Sequence, residues 1–164
     1  MDNNNFNYQP VQNYQPVQNY QQAPNYQPYS NIQMKTDRSL LMYILLTLVT
    51  CGIYGIYFFA KIGEDMNVIA SRRDGKKTMN YWLVALLLNG LTCGILGIVW
   101  FHSISERVGD EARARGINTN FGASTYWLWY VLGSLLCGIG PFVYLYKLCE
   151  TMNDISKNYN AYGM

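Results

Sequence analysis

Polar and apolar positions fall in long blocks along this chain. Asp2 is the only charged side chain before Lys35, and beyond it three uncharged stretches, 39–60, 78–101 and 116–146, alternate with short charged segments. Within the last stretch, 126–146 is the densest apolar part. An α-helix rises about 1.5 Å per residue, so roughly 20 apolar residues match a bilayer core of about 30 Å. The pattern therefore predicts an all-α integral membrane protein with three membrane-embedded segments. A soluble bundle is disfavoured, because so small a chain lacks the material to bury three such segments on every side. After each run the pattern turns amphipathic: Ile62, Met66 and Ile69 follow Phe58 and Phe59 at helical spacing, with Lys61, Glu64 and Asp65 between them. Such stretches read as interfacial helices.

The three runs also align with one another. Cys51-Gly52-Ile53-Tyr54-Gly55 corresponds to Cys93-Gly94-Ile95-Leu96-Gly97 at an offset of 42 residues, and to Cys137-Gly138-Ile139-Gly140-Pro141 at a further 44. Glu64, Glu106 and Glu150 each follow their cysteine by 13 positions; Lys61 matches Lys147, and Asn67 matches Asn153. Two glycines close together, preceded by Thr50 and Thr92 in the first two copies, predict a kink or reversal at the middle of each run. Pro141 makes a straight helix least tenable in the third. The expected organisation is a tail over 1–34, a membrane domain over 35–157 made of repeats 38–72, 77–113 and 122–156, and a short polar tail over 158–164.

Two architectures satisfy this pattern: three kinked transmembrane helices, or three re-entrant helix–turn–helix hairpins. Three crossings would divide the basic residues five against seven between the two sides, a poor positive-inside bias. Hairpins place all twelve on one side, and tandem copies in one direction fit them, so they are the favoured arrangement. Their short arms reach only about 15–21 Å, and the turn backbone must be shielded, which close packing of the small Cys and Gly residues of three turns would provide. Tyr57, Trp82, Trp100, Trp127, Trp129 and Tyr144 are expected to include a headgroup-level aromatic belt.

The stretch Leu46-Thr47-Leu48-Val49-Thr50-Cys51-Gly52-Ile53-Tyr54-Gly55-Ile56-Tyr57, followed by Phe58, Phe59, Lys61, Glu64, Asp65 and Asn67, resembles the signature of a bacterial membrane family catalogued as domain of unknown function 4234. The resemblance extends over residues 38 to about 155. It implies a small protein of the bacterial cytoplasmic membrane, often with a low-complexity soluble tail, and implies no activity. The third copy departs most, with Gly140-Pro141 in place of Tyr54-Gly55.

Residues 7–30 are four hexapeptides, NYQPVQ, NYQPVQ, NYQQAP and NYQPYS, which place Tyr8, Tyr14, Tyr20 and Tyr26 at equal intervals. Prolines interrupt any helix there, and little aliphatic surface is available to offset the entropy of ordering. The tract is expected to be a disordered, cytoplasmic tether whose tyrosines serve as weak contacts to a partner or to other tails. Neither a basic start nor an apolar run marks a cleavable signal in this tract.

Composition narrows the function classes. Half of the 164 residues are apolar, 13% are charged and the formal net charge is only +2. Without a basic stripe interleaved with aromatics, nucleic acid is not an expected partner. Cys51, Cys93 and Cys137 could converge on a soft metal, but no His or acid lies beside them and their spacing is not that of a ligand pair. A structural turn role is expected instead, with no metal and no cofactor. Lys61, Glu64, Glu106, Lys147 and Glu150 could form a polar face; solvated helix faces with pairs such as Lys61–Glu64 and Lys147–Glu150 explain them more simply. His102, the single histidine, sits at the end of the second run. No nucleophile–base pair or phosphate loop appears, so an enzyme is not expected. The function expected is a non-catalytic membrane anchor, adaptor or scaffold, with the lipid bilayer and a tail-bound protein as partners. A subunit of a small channel or transporter is the alternative, disfavoured because no charge lies within the apolar runs.

Overall fold

A computed structural model of the chain describes residues 32–136 and 138–163. The hexapeptide tract with its tyrosines, and Cys137, lie outside the described residues. Among the described residues every regular element is helical. Each apolar run breaks at its Cys-Gly motif into two arms. The first pair is α1 (Leu40–Val49) and α2 (Ile53–Ile69). A single turn, Ser71–Asp74, leads on to α3 over 81–91, whose middle Val84–Leu88 is π-helical, and to α4 (Ile95–Ala114). The last pair is α5 over 123–136, π-helical over Tyr126–Leu132, and α6 (Gly140–Tyr162).

The arms double back on each other, which excludes three kinked but continuous helices. A Cβ added at Gly55 of α2 would lie 3.2 Å from the Tyr43 hydroxyl and 3.5 Å from Thr47 Cγ2 of α1. Residues 12 positions apart along one helix would stand about 18 Å apart. In the second pair a Cβ at Gly97 would lie 2.8 Å from Asn89 Oδ1, and in the third a Cβ at Gly140 would lie 2.0 Å from the Trp129 carbonyl and 2.4 Å from Gly133 Cα. Glycine is therefore what lets each pair of arms touch. Pro141 occupies the first turn of α6, where a missing N–H leaves no helical bond unmade.

The longer second arms carry the core. Phe58, Phe59, Ile62, Met66 and Ile69 on α2, Trp100, Phe101, Ile104 and Val108 on α4, and Tyr144, Leu145, Leu148, Met152 and Ile155 on α6 are all buried in one cluster. Each set repeats at helical spacing along one face, so burial follows from the amphipathic pattern. Phe59 and Phe101 meet edge to face at 4.8 Å between ring centres, a favoured aromatic geometry.

Second arms run parallel to one another. Between α2 and α4 and the residues that follow them, Phe59 faces Phe101 and Arg73 reaches Glu111. Between α4 and α6, Ser105 meets Tyr144 and Arg115 reaches Asn158. Both partners advance together along the chain, so the three turns lie at one end and the connecting segments at the other.

One expectation needs correction. Trp100 and Tyr144 belong to the core, not to an outer aromatic belt: Trp100 Nε1 donates to the Met79 carbonyl at 2.8 Å, and the Tyr144 hydroxyl lies 2.8 Å from Ser105 Oγ. α6 continues to Tyr162, into the stretch expected as a short polar tail. There Asn160 brackets the backbone of Met34, accepting from its N–H at 2.8 Å and donating to its carbonyl at 2.9 Å. Met34 is buried.

Candidate functional site

Two regions concentrate the chemistry of this fold, the turns at one end and a charged base at the other. At the first turn the Thr50 hydroxyl donates to the Leu46 carbonyl at 2.7 Å and accepts from the Tyr54 N–H at 2.9 Å. One side chain thus closes α1 and caps α2. Gly52 N–H donates to the Thr47 carbonyl at 2.8 Å, satisfying a second orphan group. Thr92 repeats both bonds, to the Leu88 carbonyl at 2.7 Å and from the Leu96 N–H at 3.4 Å, and Gly94 N–H donates to the Asn89 carbonyl at 2.9 Å.

Cys51 and Cys93 both sit at φ +50°, followed by Gly52 at +93° and Gly94 at +84°. Consecutive left-handed residues reverse the chain, and glycine is the residue that takes the second position without strain. Cys51 and Cys93 are exposed, and nothing lies within 4 Å of a Cβ built on Gly52 or Gly94. Their role is conformational; the turn backbone is shielded by the threonine and the N–H bonds, not by packing of small residues against another turn. Gly138 also has a positive φ, +71°. Among the described residues no group of three His, Cys, Asp or Glu side chains is placed to hold a metal.

The residues of the expected polar face are distributed over the three second arms. Lys61, Glu64, Glu106 and Glu150 are exposed and Lys147 half-buried on three different arms. Lys61 lies 3.5 Å from Glu64, and Glu106 lies 3.8 Å from His102 Nε2, whereas Lys147 and Glu150 form no ion pair.

Sequence reasoning missed the buried charges. Arg107, on α4, donates to Asp74 Oδ2 at 2.7 Å and Oδ1 at 3.2 Å, Asn67 Oδ1 at 2.8 Å, Thr78 Oγ1 at 2.6 Å, Ser71 Oγ at 3.0 Å and the Lys76 carbonyl at 2.7 Å. The guanidinium thereby spends all five N–H donors tying α4 to the end of α2 and the loop after it. Burial of Asp74 opposes its ionisation, but bonds from Arg107 and the Lys76 N–H, with the charges of Arg107 and Arg73, hold its carboxyl below the usual range. Glu111 accepts from Arg73 at 2.6 Å and from Arg115 at 2.7 Å, and Arg38 pairs with Asp65 and donates to Ser156 Oγ at 3.1 Å. The signal available in the sequence was position: Asp65, Arg107 and Glu111 fall on the apolar side of their amphipathic helices.

Two backbone brackets and one close approach, at equivalent positions of the second arms, join each of them to another segment. Asn67 holds Thr78, accepting from its N–H at 2.7 Å and donating to its carbonyl at 2.9 Å. Asn153 holds Arg38 in the same way, at 2.9 and 2.8 Å. The corresponding position on α4 is Gly109, where a Cβ would lie 2.2 Å from the Phe121 carbonyl, so the segment passes directly over it.

Fold and site together define a class: helical-hairpin proteins with uncharged turns at one end and a base of buried ion pairs at the other. Residues 38–110 match the family model described as Domain of unknown function (DUF4234). The match ends within α4, short of the extent to about residue 155 suggested by the sequence. No curated protein and no solved structure matches the chain.

Proposed function

We propose that this chain is a small, non-catalytic protein of the bacterial cytoplasmic membrane, in which three hairpins insert their turns into one leaflet and anchor a scaffold for tail-mediated contacts. No helix among the described residues is long and apolar enough to cross a membrane; in this reading the hairpins enter and return. The observation that carries it is apolar exposure at the turns: Leu48, Val49, Leu91 and Leu135 are 72%, 80%, 84% and 81% exposed. Large apolar side chains exposed to this degree at each turn call for a cover, and the absence of charge over 39–60, 78–101 and 116–146 makes lipid a suitable one. The hairpins read as three copies of one unit. In support, the aligned positions Thr47, Asn89 and Gly133 lie at the arm crossings, facing Gly55, Gly97 and, one position out of register, Gly140; the brackets at Asn67 and Asn153 and the close approach at Gly109 lead from first unit to second, third back to first and second to third. The Tyr-rich tail then supplies the interactions, with itself or with a protein partner.

Flotation of purified protein with phospholipid vesicles tests the anchor. The wild type should float, and Val49→Asp, Leu91→Asp and Leu135→Asp combined should leave it in the dense fractions with helical circular dichroism retained. Wild-type protein that remains monodisperse in buffer and fails to float would overturn the reading. For the tail, changing Tyr8, Tyr14, Tyr20 and Tyr26 to Ser should abolish concentration-dependent clustering on the vesicles. Ion flux through such vesicles, unchanged by the tyrosine substitutions, would replace the scaffold with a channel subunit.

A further inference from the structure

The outer face of the first hairpin carries a cavity of about 420 Å³ between α1 and α2, in the size range of ligand sites, about 300–1,000 Å³. Its lining sorts by chemistry along the hairpin. Lys35, Arg38 and Lys61, with Asp37 as the one acid, form the end toward the charged base; Leu41, Leu45 and Tyr57 are among the residues that continue it toward the turn. From Lys61 to Tyr54 the lining of α2 covers two helical turns, roughly 10 Å. Arg38 is committed to Asp65 and Ser156. The Lys35 and Lys61 side chains are not committed in that way: they are 55% and 47% exposed, and their contacts to acids are no shorter than 3.9 and 3.3 Å. Ser39, at the mouth, makes no side-chain cap to α1, so that helix adds uncapped N–H groups beside the cations.

Cations above an apolar wall match an anionic head joined to a hydrocarbon chain. The chain's own tail lacks that complement, since Asp2 is its only acid. The second hairpin lacks the wall as well: its cavity of about 260 Å³ is lined entirely by polar and charged residues, with Lys77 at the position of Lys35 and Ser103 at that of Lys61.

We infer that the groove of the first hairpin holds one anionic phospholipid, its phosphate at Lys35 and Lys61 and an acyl chain along Leu41, Leu45 and Tyr57. The inference rests on the membrane reading above and deepens it, by making the anchor selective for lipid charge.

Full-length protein is reconstituted in vesicles of phosphatidylcholine with an equal share of phosphatidylglycerol, floated, extracted in mild detergent and weighed intact by native mass spectrometry. Wild type should retain one phosphatidylglycerol in preference to phosphatidylcholine. Lys35→Gln and Lys61→Gln should each lower the preference about fivefold, Leu45→Trp should abolish retention by filling the groove, and Lys77→Gln should change nothing. Failure to float would overturn the membrane reading and the site together. Flotation with equal retention of both lipids, or equal loss in Lys77→Gln, would overturn the site alone. So would retention that emerges only when Tyr8, Tyr14, Tyr20 and Tyr26 are changed to Ser, since the tail would then be the occupant.

Discussion

Arg107 shows what one side chain contributes to this fold. Five of its six acceptors lie between α2 and α3 and the sixth, Asn67 Oδ1, near the end of α2, and its partner Asp74 is 13% exposed. Arg107→Met leaves that carboxylate with the Lys76 N–H as its remaining bond, and breaking a buried pair in this way costs about 3 kcal/mol. Arg107→Lys should not rescue it, because an ammonium supplies three donors without the planar fork. Urea unfolding in detergent micelles measures both; a loss under about 0.5 kcal/mol for Arg107→Met, the size of an ordinary surface change, would show that the network is not structural. Asp74 also sets a pH dependence. Its folded carboxyl is more acidic than the ordinary value of 3.8, so its contribution is complete above that value and lost as pH falls through the lower, folded one. Acid unfolding of wild type should therefore steepen below pH 3.8 relative to Asp74→Asn; parallel curves would contradict the ion pair. The place of Arg107 on the apolar side of α4 was legible in the sequence; its partners were not, because they come together only where the loop folds over it.

At the scale of the element, the hairpin turn was the most legible part of the chain. Thr-Cys-Gly twice in register announced a local conformation, and Thr50 and Thr92 each make the same two bonds. Thr50→Val should cost about 1 kcal/mol, and Gly52→Ala about 1–2 kcal/mol because its φ is +93°. Thermal melts followed by circular dichroism check both; an unchanged Tm for Gly52→Ala would mean that the left-handed turn is not required. The purpose of the small residues was read less well. The cysteines were expected at a contact, yet the tight approaches occur one or two turns away, at Gly55, Gly97 and Gly140. Spacing within one arm reveals nothing about which residue of the opposite arm it meets. Gly140→Ala should be the most damaging of these three, since its Cβ would meet backbone at 2.0 Å whereas the Cβ at Gly55 would meet a side chain at 3.2 Å.

For the whole molecule, the parallel second arms put the turns at one end and the charged segments at the other. Net charge and composition could suggest segregation but not this alignment, which depends on long-range pairs such as Arg38 with Asp65 and Ser156 and Asn153 with the Arg38 backbone. If the turns enter one leaflet, every connecting segment faces the same compartment. Lys77→Cys and Asn118→Cys report this directly, because both residues are exposed and lie in the two loops that three crossings would separate. With the four native cysteines replaced by Ser, intact cells are labelled with a membrane-impermeant maleimide before and after lysis. The hairpin account predicts that both positions stay protected until the cells are opened. Labelling of one position and not the other in intact cells would contradict it.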